Sequence, residues 1–289
     1  MKRGRLLKRV YMVAVFGFLY IPIAVLIAFS FNESKSRAVW GGFSLKWYVN
    51  LFHNEMILQS LAVSLFVAFL SASIATVLGT LAAIGINNMG RRARGAVMTL
   101  SYVPVVNPEI VTGVSTMLLF VVFNGQMSKF LTALLGTEVR LSFGIVTLLI
   151  THITFCLPYV LFNVSPKLRQ MDVHLYEAAL DLGCSPRQAF FKVVLPEIMP
   201  AVLSAFLISL TYSIDDFIIS YFNSGTVQTL PIAIYSMTKK RVSPEINALS
   251  AIMFAVILAI ILAANAFDAA RERRLARALR RTQWEAGQG

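Results

Sequence analysis

ILQSLAVSLFVAFLSASIATVLGTLAAIGI, residues 57–86, runs for 30 residues without a charged side chain. As one helix it would extend about 45 Å, against the roughly 30 Å of a bilayer's hydrocarbon core. That is long enough to cross with tilt or to protrude, and too apolar for a helix with one face in water. Five more runs of this kind follow from the same criterion, at 10–31, 96–123, 141–163, 196–222 and 244–267. The expected fold class is therefore all-α: a polytopic membrane protein with six transmembrane helices, a single transmembrane domain over residues 1–289. Composition agrees, with 57% apolar and 14% charged residues, where soluble domains carry about 45–50% and about 25%. Two cysteines, Cys156 and Cys184, exclude a disulfide-stapled secreted module. The apolar content excludes a disordered chain.

The charge is lopsided, with 26 Lys and Arg against 14 Asp and Glu, a net +12. Placing the N-terminus inside puts 18 of the 26 basic residues on segments 1–9, 87–95, 164–195 and 268–289. Positive-inside topology thus explains the surplus, puts both termini in the cytoplasm and requires no nucleic acid. The first run follows a basic leader, but its 22 residues exceed the roughly 7–15 of a signal peptide's apolar core, so it reads as a retained anchor. The basic run Arg271–Arg281 is expected to continue the last helix along lipid headgroups. Outside, Trp40, Trp47 and Tyr48 suit the interface, and Ser44 is expected to cap a short helix over Leu45–Phe52. Pro231 is placed to open another helix, and Ser243-Pro244 gives a cap followed by Pro at the first helical position.

Segment 164–195 is the longest polar insertion on the inner side and reads as two short helices. Asp172 caps the first, whose apolar positions Val173, Tyr176 and Leu180 share a face; Gly183 ends it where a left-handed residue is needed. Ser185-Pro186-Arg187-Gln188 starts the second as a capping box, and Leu195-Pro196 closes it and begins the fifth span. The residues Glu177-Ala178-Ala179, then Gly183 after three positions, then Val193-Val194-Leu195-Pro196 after nine, resemble the EAA loop of ABC importer permeases, with Val193 at a position where that pattern has Ile. Four further stretches resemble the spermidine/putrescine importer permeases: Phe43–Tyr48, His152–Pro158, Ser213–Phe217 and Val242–Leu249. This resemblance implies a type I ABC importer permease fold in a bacterial inner membrane, with a cytoplasmic coupling-helix loop. Its coupling residues would be Glu177, Ala178, Ala179, Gly183, Leu195 and Pro196. The implied partners are a second permease subunit, a pair of cytoplasmic ATP-binding cassette ATPases and a periplasmic polyamine-binding protein.

Absences fit that reading. No G-x-x-x-x-G-K-[ST] occurs, so the chain itself is expected to be no enzyme and to hold no cofactor, ATP and Mg being bound by the partner ATPase. No His, Cys and carboxylate cluster has metal-ligand spacing. The informative residues are acids inside the spans, because a charge near mid-bilayer costs about 2.5–3.5 kcal/mol on insertion scales. Glu109 follows the broken stretch Pro104-Val-Val-Asn-Pro108. Asp216 lies on a polar stripe with Ser209, Tyr212, Ser213 and Ser220, while Asp215 sits about 100° round the helix. Asp216, Asp215, Glu109 and Tyr212 are therefore the expected path for a cationic substrate, Tyr212 adding a cation–π face. His152 reads as an interhelical hydrogen-bonding residue, and Ala68, Ala72, Thr76 and Thr80 read as packing. The alternatives are a permease for another small cation, a secondary transporter or channel, or a membrane-embedded enzyme. A secondary transporter or channel would often show an inverted repeat, and an enzyme would need a convergent nucleophile and base. Neither is visible in the sequence.

Overall fold

The computed structural model describes residues 2–35, 39–136, 142–240 and 244–259, with 262 and 266. Its described residues are helical apart from turns and one antiparallel bridge, Asn32 to Phe43. Five helical stretches are long and apolar enough to cross a membrane: Lys8–Ser30, Glu55–Asn87, Glu109–Gln126, Ile145–Gln170 and Pro186–Asp215. A shorter apolar helix, Glu245–Ala259, occupies the described part of the sixth expected span. The rest of that span, Ser243 and the basic run Arg271–Arg281 lie outside the described residues.

The chain groups into two compact units, Met56–Ser236 and Met1–Glu55 with Met237–Gly289. In the terminal unit, α1 (Lys2–Ser30) presents apolar side chains outward, Phe18 being 81% exposed, as a lipid-facing helix requires. The chain then turns around Asn32, whose Oδ1 accepts from Gly41 N at 2.7 Å and whose Nδ2 donates to Val39 O at 2.9 Å. Trp47 at the start of α2 (Lys46–His53) donates its indole N–H to Asn32 O at 2.6 Å, and Tyr48 pairs with Ser30 at 2.7 Å. The short helix expected after Ser44 is thus present, starting one residue later with Leu45 as its N-cap; Ser44 Oγ accepts from Lys46 N at 3.2 Å.

The central unit is built on α3 (Glu55–Asn87), α7 (Ile145–Gln170) and α10 (Leu195–Asp215). Small residues line the buried face of α3; Ala68, Ala72 and Ala75 are wholly buried, and Thr76 and Thr80 nearly so. At Gly79 a Cβ would lie 2.7 Å from Val160, so only glycine lets α3 and α7 approach this closely. The core joins Ala75 and Ala83 to Phe155, Cys156, Val160 and Val164 of α7 and to Ile198 and Ala205 of α10.

Three expected boundaries move, each for a local reason. The third span divides into α4 (Arg91–Val106) and α5 (Glu109–Val122), because Pro108 follows Asn107 in extended conformation (ψ 142°). The fourth span was expected to end at 163 but continues to Gln170 with Pro158 and Pro166 inside it, prolines being tolerated where neighbouring helices re-satisfy the backbone. The fifth span starts earlier and ends earlier than 196–222. No break falls at Leu195-Pro196: α9 (Pro186–Ala189) passes through a π-helical turn, Phe190–Val194, straight into α10. The wider turn accommodates the Pro196 ring, which a regular helix would force against the preceding turn. The break comes instead at Asp216-Phe217, before α11 (Ile218–Asn223).

Candidate functional site

The elbow between α7 and α10 is held by short-range bonds that its sequence specifies. α8 (Val173–Asp181) begins at Asp172, whose carboxylate accepts from His174 N at 3.0 Å. Gly183 ends it at φ +85°, a left-handed conformation that costs a non-glycine residue about 1–2 kcal/mol. Gly183 N donates to Leu180 O at 2.9 Å and Cys184 N to Ala179 O at 3.0 Å, the two bonds of a Schellman ending. Ser185 and Gln188 then close a reciprocal capping box over α9. Ala179 is buried, whereas Glu177, Ala178, Gly183 and Pro196 are exposed and Leu195 is half-buried. Leu182 at the tip is 86% exposed. His174 Nδ1 lies 3.2 Å from Glu177 on this outer face. The result is a rigid, exposed knob joined without interruption to α10, a helical stretch of 30 residues from Pro186 to Asp215.

At the far end of that stretch the two adjacent aspartates part company. Asp216 is 6% exposed. Its carboxylate accepts from Ser220 N at 2.7 Å, Ser220 Oγ at 2.9 Å and Ile219 N at 3.3 Å, closing the first turn of α11. The polar stripe expected to line a path turns inward: Ser209, Ser213 and Ser220 are all buried. Their partners sit on α7, where His152 Nδ1 lies 2.6 Å from Ser213 Oγ and Nε2 lies 3.0 Å from Ser220 Oγ. Cys156 donates to Ser209 O at 3.6 Å, and Ser71 of α3 lies 3.2 Å from Ser213. In an apolar surrounding His152, Ser213 and Ser220 satisfy one another across helices, each such bond contributing about 0.6 kcal/mol on average, while the Ser209 hydroxyl is buried without a hydrogen-bond partner among the described residues. α11 is held at its other end by Asn223, which donates to Gly113 O and Thr116 Oγ1 of α5.

Asp215 is exposed, at the end of α10, and Glu109 is exposed at the start of α5. Tyr212, one turn before Asp215 and 43% exposed, stacks on Tyr159 with ring centroids 4.6 Å apart at 26°. Phe155 abuts both rings edge-on. Tyr212 and Asp215 thus stand exposed within one turn at the end of α10, Glu109 stands exposed at the start of α5, and Asp216 is buried. Tyr159 was missed in the sequence, although His152, Phe155 and Tyr159 recur at three- and four-residue spacing on one face of α7. Among the described residues no group of His, Cys, Asp and Glu could hold a metal ion.

The family described as "Binding-protein-dependent transport system inner membrane component" matches residues 75–277, well over half of the chain. The chain belongs to this family. The permease is 39% identical over 263 residues to the spermidine/putrescine transport system permease protein PotC of Escherichia coli strain K12, covering 91% of this chain and 94% of that one. It is 37% identical over 244 residues to the putrescine transport system permease protein PotI of the same strain, covering 84% and 83%. Among solved structures its fold is similar to a chain of a bacterial alginate ABC transporter in complex with alginate pentasaccharide-bound periplasmic protein. That likeness has a TM-score of 0.68 at 19% identity, covering 90% and 92% of the two chains. The permease is therefore a transport subunit, a multi-pass component of the inner membrane.

Proposed function

We propose that this permease is one membrane subunit of an ATP-driven importer that carries polyamines, spermidine or putrescine, from periplasm to cytoplasm. The observation that carries the reading is the unbroken helical stretch from Pro186 to Asp215, which joins an exposed, tightly capped elbow to the exposed carboxylate at its far end. In this reading both termini and the elbow are cytoplasmic, and the faces of Glu177, Ala178 and Gly183 meet one of a pair of ATPases that bind ATP and Mg. Leu195 and Pro196 pass the movement into α10. A second permease subunit completes the path, and a periplasmic polyamine-binding protein delivers the substrate.

Asp215 and Glu109 offer carboxylates where charge is costly, so their sign favours a cation. Tyr212 gives an ammonium or its methylene neighbours an aromatic face. Asp216 shapes the break that brings Asp215 to the surface. The relatives named for spermidine and putrescine support this choice of substrate over other small cations.

Reconstitution with the ATPase pair, the second permease and the binding protein in proteoliposomes tests the proposal. Labelled spermidine or putrescine should accumulate only with ATP and binding protein present. Uptake that ignores ATP would favour the channel or secondary-transporter reading. ATP-dependent uptake of a different cation, with neither amine competing, would overturn the substrate.

A further inference from the structure

The fifth span is cut at Asp216-Phe217, yet the two pieces are fastened to a common residue that lies on neither. His152 of α7 is 2% exposed and touches Ser213, in the last turn of α10, and Ser220, in α11. The hydrogen-bond inventory fixes the direction of each bond. Ser220 has one hydroxyl proton, and it is donated to Asp216 Oδ2 at 2.9 Å. Toward His152 the Ser220 oxygen must therefore accept, so Nε2 carries a proton and donates across 3.0 Å. With a single ring proton, Nδ1 is then the acceptor of the Ser213 hydroxyl at 2.6 Å. Ser71, whose hydroxyl donates to Ala68 O at 3.2 Å, stands behind Ser213 at 3.2 Å. The bonds run one way, from Ser213 through His152 and Ser220 to the Asp216 carboxylate.

We infer that His152 is a positioning residue, a pin held as the Nε2–H tautomer that fixes the orientation of α11 relative to α10 across the broken span. The inference rests on the chain being a permease whose α10 moves and does not depend on which cation is carried. Without the pin, no single side chain of α7 among the described residues hydrogen-bonds both pieces across the extended link at Asp216 (φ −63°, ψ 118°), and a displacement of α10 would be absorbed there despite the core contact of Ile219. With it, α11 and the Asp215 surface follow α10 together. The ring fits this task because its two nitrogens reach opposite directions from one rigid plane, which no single hydroxyl or amide does.

Only three histidines occur in the chain, so nitrogen-15 histidine labelling of the assembled transporter in lipid bilayers gives few ring signals to resolve by solid-state NMR. His152→Asn assigns the resonance, since Asn keeps a polar atom near the Nδ1 position alone. The ring should show protonated Nε2 and unprotonated Nδ1 in the resting complex. Ser220→Ala and Ser213→Ala should each release it to a mixture of tautomers and raise the ATP consumed per substrate imported. His152→Leu should raise the ATP consumed per substrate further and should quicken amide exchange in Ile218–Asn223 while leaving α10 protected. A resting ring protonated on Nδ1 alone would overturn the inference, as would serine variants with wild-type coupling. Where His152→Leu does not assemble, the two serine variants decide. Uniform loosening of α7, α10 and α11 would show a general packing residue and contradict the pin.

Discussion

Asp215 and Asp216 are neighbours with opposite surroundings, and their variants should separate function from architecture. Asp215 is exposed one turn from Tyr212, so Asp215→Asn should assemble normally and raise the KM for polyamine uptake about tenfold, the equivalent of one charged contact of about 1.4 kcal/mol. Asp216 is buried against the first turn of α11, so Asp216→Ala should instead lower the melting temperature of the purified complex, losing a cap contribution of about 1 kcal/mol. Initial-rate uptake and thermal unfolding of the two variants check the pair; swapped phenotypes would contradict the assignment. The sequence marked both acids as costly and placed them one position apart, but not which would face inward. Ser-Ile-Asp-Asp-Phe-Ile-Ile-Ser contains no proline or glycine, and an uninterrupted helix was the local expectation. The break depends on Asp216 capping α11 and on His152, 61 residues before Ser213 in the chain, accepting and donating from α7. Such a long-range cause leaves no local trace.

Elements record their constraints more openly. The elbow was legible because each of its ends is decided by one or two adjacent residues: Asp172, Gly183, and the Ser185–Gln188 pair. At Gly183 nothing lies within 4 Å of an added Cβ, so substitution acts through φ rather than through a clash. Gly183→Asn, tolerant of the left-handed region, should keep most coupled transport, whereas Gly183→Val should lose it while remaining inserted. Transport per ATP hydrolysed distinguishes them, and equal behaviour would argue against a conformational role for this glycine. Gly79 is constrained differently. There a Cβ meets Val160 at 2.7 Å, and Gly79→Ala should destabilise α3–α7 packing by about 1–3 kcal/mol, read as a lower melting temperature that Val160→Ala only partly restores. Repeated small residues on α3 signalled close packing in the sequence; its partner helix could not be read, because any apolar helix satisfies the same stripe. The π turn at Phe190–Val194 was likewise hidden. Leu195-Pro196 looks like a boundary by local rules, yet Val194 before it and Ile198 and Ala205 after it pack into one core, and the helix runs through.

At the scale of the whole molecule, the elbow and the acid-bearing end of α10 are parts of a single rigid rod. Charge and hydropathy sufficed to foresee a multi-pass helical protein, and the loop spacing to foresee an ABC-importer-like elbow. The continuity from one to the other required coordinates. Spin labels at Arg187 and Thr211, both exposed on the rod, are 24 residues apart, about 36 Å along a helix. A third label at Leu81 of α3, 59% exposed, supplies a reference within the same compact unit. Pulsed-EPR distances should be recorded in the assembled transporter, nucleotide-free and ATP-trapped. For a rigid rod, the 187–211 distance should keep its position and width while the 187–81 distance shifts between the states. A 187–211 distance that shortens or broadens on ATP binding would place the flexing inside the rod, at the π turn, and contradict it.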